Sequence, residues 1–175
     1  MIRNSTELIA KPVLLQHEKA IVGLVNSLII DPDTGDLIGI LILEGFGKRK
    51  LKSLAAKDII TITNKYILID SYENLGELDE IIRIKKVLDK KITIRKCPVY
   101  TVSGKFLGKV KDFSVNFKSM RLERIIVDSL WTVNSTRHYL ISFSQIISIE
   151  PGKITVEDAT ISRKNTVMIE AVEAS

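Results

Sequence analysis

The sequence predicts a mostly β protein, built as two small β-barrels in tandem joined by a short helix. Three observations predict this. The chain contains itself twice, each copy is a succession of short β-branched runs bounded by turn residues, and one segment between the copies has helical spacing. The expected boundaries are a first barrel over 1–76, a connecting helix over 77–89 and a second barrel over 90–175.

The repeat emerges when "KPVLLQHEKAIVGLVNSLIIDPDTGDLIGILIL" is laid beside "CPVYTVSGKFLGKVKDFSVNFKSMRLERIIV". Pro12 and Val13 fall on Pro98 and Val99, Gly23 on Gly108, and Val25 on Val110. Leu37, Ile40 and Ile42 then fall on Leu122, Ile125 and Val127. Further on, Ile59, Ile60, Ile62, Ile67 and Ile69 of "DIITITNKYILID" match Ile146, Ile147, Ile149, Ile154 and Val156 of "QIISIEPGKITVE". The matches are glycines and apolar residues, which set backbone shape and cores. Charged residues do not match, so a fold is repeated and an active site is not.

Each element has a local cause. "IVGLVNSLII" (21–30) and "LIGILIL" (37–43) are β-branched runs between turn signals. Residues 59–63 and 66–70 make a hairpin about "NK", and the second copy turns at "EPGK". Close-spaced short strands favour a small barrel, whose closure would leave no free sheet edge. Leu78, Ile81, Ile82 and Leu88 recur at helical spacing, with acids early and lysines late, which predicts a helix over about 78–89 packed on the first barrel.

The loop "DPDTGD" (31–36) invites a calcium reading. In a helix-flanked calcium loop the glycine stands at position 6 and a bidentate Glu at position 12. Counted from Asp31, position 6 is Asp36 and position 12 is Ile42, and the flanks read as strands. Pro32 fixes φ, the Asp side chains bond to nearby amides and Gly35 permits positive φ, so the stretch is a hairpin turn.

These residues resemble the PRC-barrel family, whose pattern of an opening "K-P-V", a strand closed by "D-P-x-T-G" and a later paired apolar hairpin recurs here as "KPV", "IIDPDTG" and "IITITNKYILID". The second copy carries "CPV" and "IISIEPGKITVED" but departs to "NFKSMR" in its loop. The resemblance implies two PRC-type barrels, a module similar to the barrel of the photosynthetic reaction centre H subunit and to the C-terminal domain of the ribosome maturation factor. It implies no shared catalytic residues, and it implies a bacterial source.

Composition narrows the function classes. One cysteine, Cys97, excludes an internal disulfide and a multi-cysteine metal site, and it reads as a small buried hydrophobe. His17 and His138 lack ligand-spaced partners and read as surface or turn residues. "EGFGKRK" lacks the spacing of a phosphate loop. No stretch of ~18 apolar residues runs without charge, so no transmembrane segment is expected and a cytoplasmic location is.

The net charge of +5 is uneven. Residues 1–75 carry nine basic and nine acidic groups, residues 76–89 three and four, and residues 90–175 fourteen and eight. The excess is therefore in the second half and favours anionic partners. The densest patch is Lys48, Arg49, Lys50 and Lys52. Arg121 and Arg124, with Lys109 and Lys111, extend it on strand faces, and Trp131 is placed at a strand end or in a loop.

The expectation is a non-catalytic adaptor without cofactor or metal that binds a protein partner. A ribosome- or RNA-associated assembly factor is the alternative, and homo-oligomerisation is left open.

Overall fold

The structure, a computed structural model, describes residues 1–45, 49–132, 135–161 and 166–170, with the side chains at 130–137 and from 160 onward outside that description. The chain opens with β1 (Ile2–Asn4). The first copy follows as β2 (Pro12–Leu15), β3 (Ile21–Ile30), β4 (Leu37–Glu44), β5 (Lys50–Ala55), β6 (Ile59–Ile62), β7 (Ile67–Ile69) and β8 (Leu75–Gly76). Helix α1 (Ile82–Asp89) leads into β9 (Pro98–Thr101), β10 (Phe106–Asn116), β11 (Arg121–Thr132), β12 (Ser135–Ser142), β13 (Ile146–Glu150), β14 (Lys153–Val156) and β15 (Thr166–Glu170).

Two sheets form, and they have one topology. The first runs β6-β7-β2-β3-β4-β5-β8, the second β13-β14-β9-β10-β11-β12-β15. In each, among the described residues, the only parallel pair is the one joining the late hairpin to the opening strand, β7 to β2 and β14 to β9. The registers repeat as well. Val13 faces Gly23 and Val99 faces Gly108; Ile40 faces Leu54 and Ile125 faces Ile141; Ile62 faces Ile67 and Ile149 faces Ile154. Both long strands skip one register position, after Val25 and after Val110. The aligned apolar residues are the ones that fill the interiors, among them Val25, Ile40, Ile42, Ile67 and Ile69 in the first barrel and Val110, Ile125, Val127, Ile154 and Val156 in the second.

Three expectations are corrected. Among the described residues the ladders do not close, because β6 and β8, or β13 and β15, are the ends of their sheets; there the barrels are made by curling around a core and not by a continuous hydrogen-bond ring. Helix α1 starts at Ile82, not near 78. Its predicted first turn is a bend in which the Glu77 amide donates to Glu80 Oε2 (2.6 Å). The helix buries Ile84 and Val87 against Ile29, Ile38 and Leu41 of the first barrel, while Ile82 faces solvent. Each fully buried aliphatic side chain of this kind is worth about 1.5–3 kcal/mol, so packing holds the helix there. Finally, β1 precedes the first copy in sequence but lies in the second sheet. Ile2, Arg3 and Asn4 pair antiparallel with Asn116, Val115 and Ser114 of β10.

The barrels grip each other through their hairpin tips. The Leu37 amide donates to the Met120 carbonyl (2.8 Å) and the Leu122 amide to the Gly35 carbonyl (2.7 Å). These two bonds exchange under the repeat, since Leu37 and Leu122, like Gly35 and Met120, lie at its 85-residue spacing. Between them Asp36 bridges to Arg121. Ile30, Leu37 and Ala56 of the first copy join the core of the second, and Phe117 of the second packs against the core of the first.

Gly108 tests the shared register. Its φ is +138°, and a Cβ there would stand 2.0 Å from the Asp128 carbonyl oxygen, a backbone atom that cannot swing away; Gly104, at φ +88°, has nothing within 4 Å. Gly108→Ala is expected to cost about 3 kcal/mol or more in denaturant unfolding, and Gly104→Ala about 1 kcal/mol. Equal losses at the two sites would contradict the register.

Candidate functional site

A groove of about 460 Å³ lies where α1, the first barrel and the second barrel meet. One wall is Ser27, Leu28, Ile29 and Ile30, four consecutive residues of β3. Side chains alternate across a strand, so four consecutive residues in one wall place the cavity along the backbone of β3, and Leu41 of β4 continues it under α1. The facing wall is Lys91–Arg95, the stretch that carries the chain from α1 to β9. Ile9 and Phe113 close it from the N-terminal segment and the second barrel, and Val87 and Leu88 from the helix. Its volume falls within the ~300–1,000 Å³ typical of ligand sites, and its lining is mainly aliphatic.

Two cations rim it: Lys91 and Arg95 are both exposed, and the Arg95 Nε–H reaches the Lys111 carbonyl at 3.4 Å. The nearest buried carboxylate is already satisfied. Asp112, 6% exposed, accepts hydrogen bonds from the Ser5 and Thr6 hydroxyls and from the Phe113 amide (2.8 Å). Asp112 thereby fastens the N-terminal segment to β10 behind the groove, leaving the Lys91–Arg95 rim positive.

The basic patch read from the sequence is partly tied to a carboxylate. Lys50 Nζ and Lys52 Nζ both bond to Glu77 Oε1, at 2.5 and 2.8 Å. Those bonds hold the Glu77 carboxyl below the usual carboxylate range and push Lys52 up. Arg49 is exposed, and Lys48 lies outside the described residues. Arg121 is spent on the barrel junction: its Nε sits 3.3 Å from Asp36 Oδ1 and its guanidinium also donates to the Thr34 carbonyl. Arg83 holds the other Asp36 oxygen at 3.0 Å, and Lys90 holds Asp33 at 2.5 Å. Two of the acids that resembled calcium ligands, Asp33 and Asp36, are therefore ion-pair partners of the second copy, the helix and its C-cap, while Asp31 accepts the Asp33 amide within the turn. Arg124 is half-buried on β11 between Ser114 and Ser142. Trp131 belongs to β11, and its side chain is outside the described set.

His138 corrects its reading as a surface or turn residue. It is 9% exposed on β12, directly across the ladder from Asp128, and its Nδ1 meets Asp128 Oδ1. Lys111 Nζ stands 3.6 Å from the other Asp128 oxygen. Asp128 thus has partners on both neighbouring strands, and the ten-residue separation of Asp128 and His138 hid their pairing. His17 is exposed in a turn, 3.7 Å from Asp70. Cys97 is buried, and burial pushes its thiol up, as a structural hydrophobe requires. Lys11 went unnoticed: it is 6% exposed, and its ammonium donates to the carbonyls of Thr63 and Asn64 at 2.9 and 2.8 Å, capping the β6–β7 turn. Burial and the neighbouring Arg3 lower its pKa.

Among the described residues no helix is long and apolar enough to cross a membrane. No curated protein matches the chain. A family model for the PRC-barrel domain matches residues 2–82 and 93–160, which takes in the first sheet, the second sheet up to but not including β15, and most of the chain. With two registers that repeat strand for strand, the chain belongs to the PRC-barrel family and carries its domain twice.

Proposed function

We propose that this chain is a non-catalytic adaptor of the cytoplasm that binds a protein partner through its barrels. The single observation that carries the reading is the groove beside β3, a preformed apolar site with a cationic rim at the junction of the two copies. Apolar walls supply affinity by excluding water, and the few polar groups at the rim supply orientation. One wall of the site is a strand held in its sheet, so that wall needs no ordering on binding.

Immobilised full-length protein is expected to retain a specific protein from native lysate, with or without nuclease. Retention should fall at least about tenfold on Thr93→Trp, which fills the groove from its exposed wall. Substrate turnover in a broad activity screen, abolished by a point substitution, would overturn the reading.

A second reading, a ribosome- or RNA-associated assembly factor, draws support from the +6 balance of residues 90–175. The ion pairs of Lys50, Lys52 and Arg121 take weight from it, because a cation held by a carboxylate has less field to offer a phosphate. Glu77→Gln separates the two readings. On the RNA reading it frees two lysines, tightens RNA binding at ~50 mM salt and steepens its salt dependence. On the adaptor reading RNA binding is absent in both proteins.

The same variant has a pH signature. Glu77 titrates lower in the fold than in the unfolded chain, so its tie stabilises the fold above about pH 4.5 and is lost as pH falls through the depressed value. Thermal melts should therefore show a steeper acid-side decline for the parent than for Glu77→Gln; parallel curves would show that the tie contributes nothing.

A further inference from the structure

We infer that the groove is a vacant strand position, and that its occupant is an extended peptide of a partner protein which pairs with the outer edge of β3. The inference rests on the adaptor reading and names its binding mode.

The template is in the chain itself. One side of β10 is shared by two strands. Its early half pairs with β9 at Phe106–Lys109, and its late half pairs with β1 at Ser114–Asn116. On β3 the early half pairs with β2 in the same way, ending at Leu24. At the 85-residue spacing the counterpart of the β1 position is Ile29–Asp31. Among the described residues no strand lies there, and no backbone hydrogen bond from Ser27–Ile30 runs to that side.

The reason is local. Leu8 and Ile94 take matching places, since the Lys11 amide donates to the Leu8 carbonyl and the Cys97 amide to the Ile94 carbonyl (3.0 and 3.2 Å). Counting back from this pair, the residues that stand where β1 stands are Leu88–Lys90, the end of α1. A helix satisfies its backbone groups internally and cannot complete a sheet. It can shield the edge but not pair with it, and the space between is the groove.

An unpaired edge beside an apolar trough is the arrangement that strand addition uses: main-chain bonds supply affinity, and alternate side chains supply choice. The trough here takes apolar side chains against Ile9, Leu28 and Phe113. Lys91 and Arg95 favour a carboxylate at the rim. The partner segment is thus extended, with apolar residues at alternate positions and an acidic residue among the others.

The probe is a library of short displayed random peptides selected on the full-length protein, with binders remade as free peptides and mapped by amide NMR and hydrogen exchange. The expected binders carry the alternating apolar and acidic pattern. They protect the amides of Leu28–Asp31, weaken with salt, and lose about tenfold or more when methylated at the nitrogen of a ladder-facing residue. Thr93→Trp abolishes their binding. Peptides that bind elsewhere, or that bind in the groove and tolerate methylation at every nitrogen, overturn strand addition and leave the adaptor reading standing. Failure of every peptide to bind overturns strand addition too, and the lysate capture then judges the adaptor reading separately.

Discussion

The two hairpin tips hold this molecule together, and their geometry constrains what else it can be. Each tip gives one amide and takes one at the partner tip, with Asp36 and Arg121 between the two bonds. Gly35 makes the approach possible. It stands at φ +75°, and a Cβ on it would lie 2.6 Å from the Phe143 ring. The exposed ion pairs around the junction are worth roughly 0–1 kcal/mol each, so they set register more than strength. Strength comes from the side chains that cross: Ile30, Leu37 and Ala56 into one core, Phe117 onto the other. The result has the self-complementary form of an isologous dimer interface, made within a single chain.

Fixing the tips leaves the segments before each copy to be placed, and here the copies part. Both segments cross to the opposite barrel. The first arrives as a strand, pinned when Asp112 takes the Ser5 and Thr6 hydroxyls, and it completes the ladder of β10. The second arrives as a helix, because "IRIKKVLDK" is rich in good helix formers and places Ile84 and Val87 three apart on one face. It buries apolar surface on β3 and β4 but supplies no ladder. One barrel is thus finished by its neighbour's leader and the other is only roofed by it.

The strands were legible in the sequence because apolar residues at matched spacing report interiors directly. The extents of β3 and of the "LIGILIL" strand follow from β-branched runs and turn residues alone. The site was not legible, for a physical reason visible in particular residues. Lys50 and Lys52 looked like a free patch, since Glu77, which takes both, is more than twenty residues away in sequence. Arg121 looked available, since its carboxylate belongs to the other copy. His138 looked solitary until β11 and β12 set it across from Asp128. Charge partners follow register and docking, neither of which a linear reading contains. The groove is harder still, being walled by a backbone edge that has no residue signature.

The two copies can be compared position by position. Where two copies keep the same residues, they keep interiors and the backbone positions of Gly23 and Gly108, and such positions answer to folding. Where they differ, folding has less to say. One difference in structure is the pair of leaders, strand against helix, and the groove opens at that difference. A helix that shields an edge without pairing to it protects that edge from indiscriminate association, since edge strands left flat and bare invite it. It also keeps the edge reachable by a segment narrow enough to enter beside Lys91–Arg95. Duplication therefore gives this chain a built-in comparison. The second barrel shows a completed β10, and the first presents the same framework with the matching edge of β3 still open.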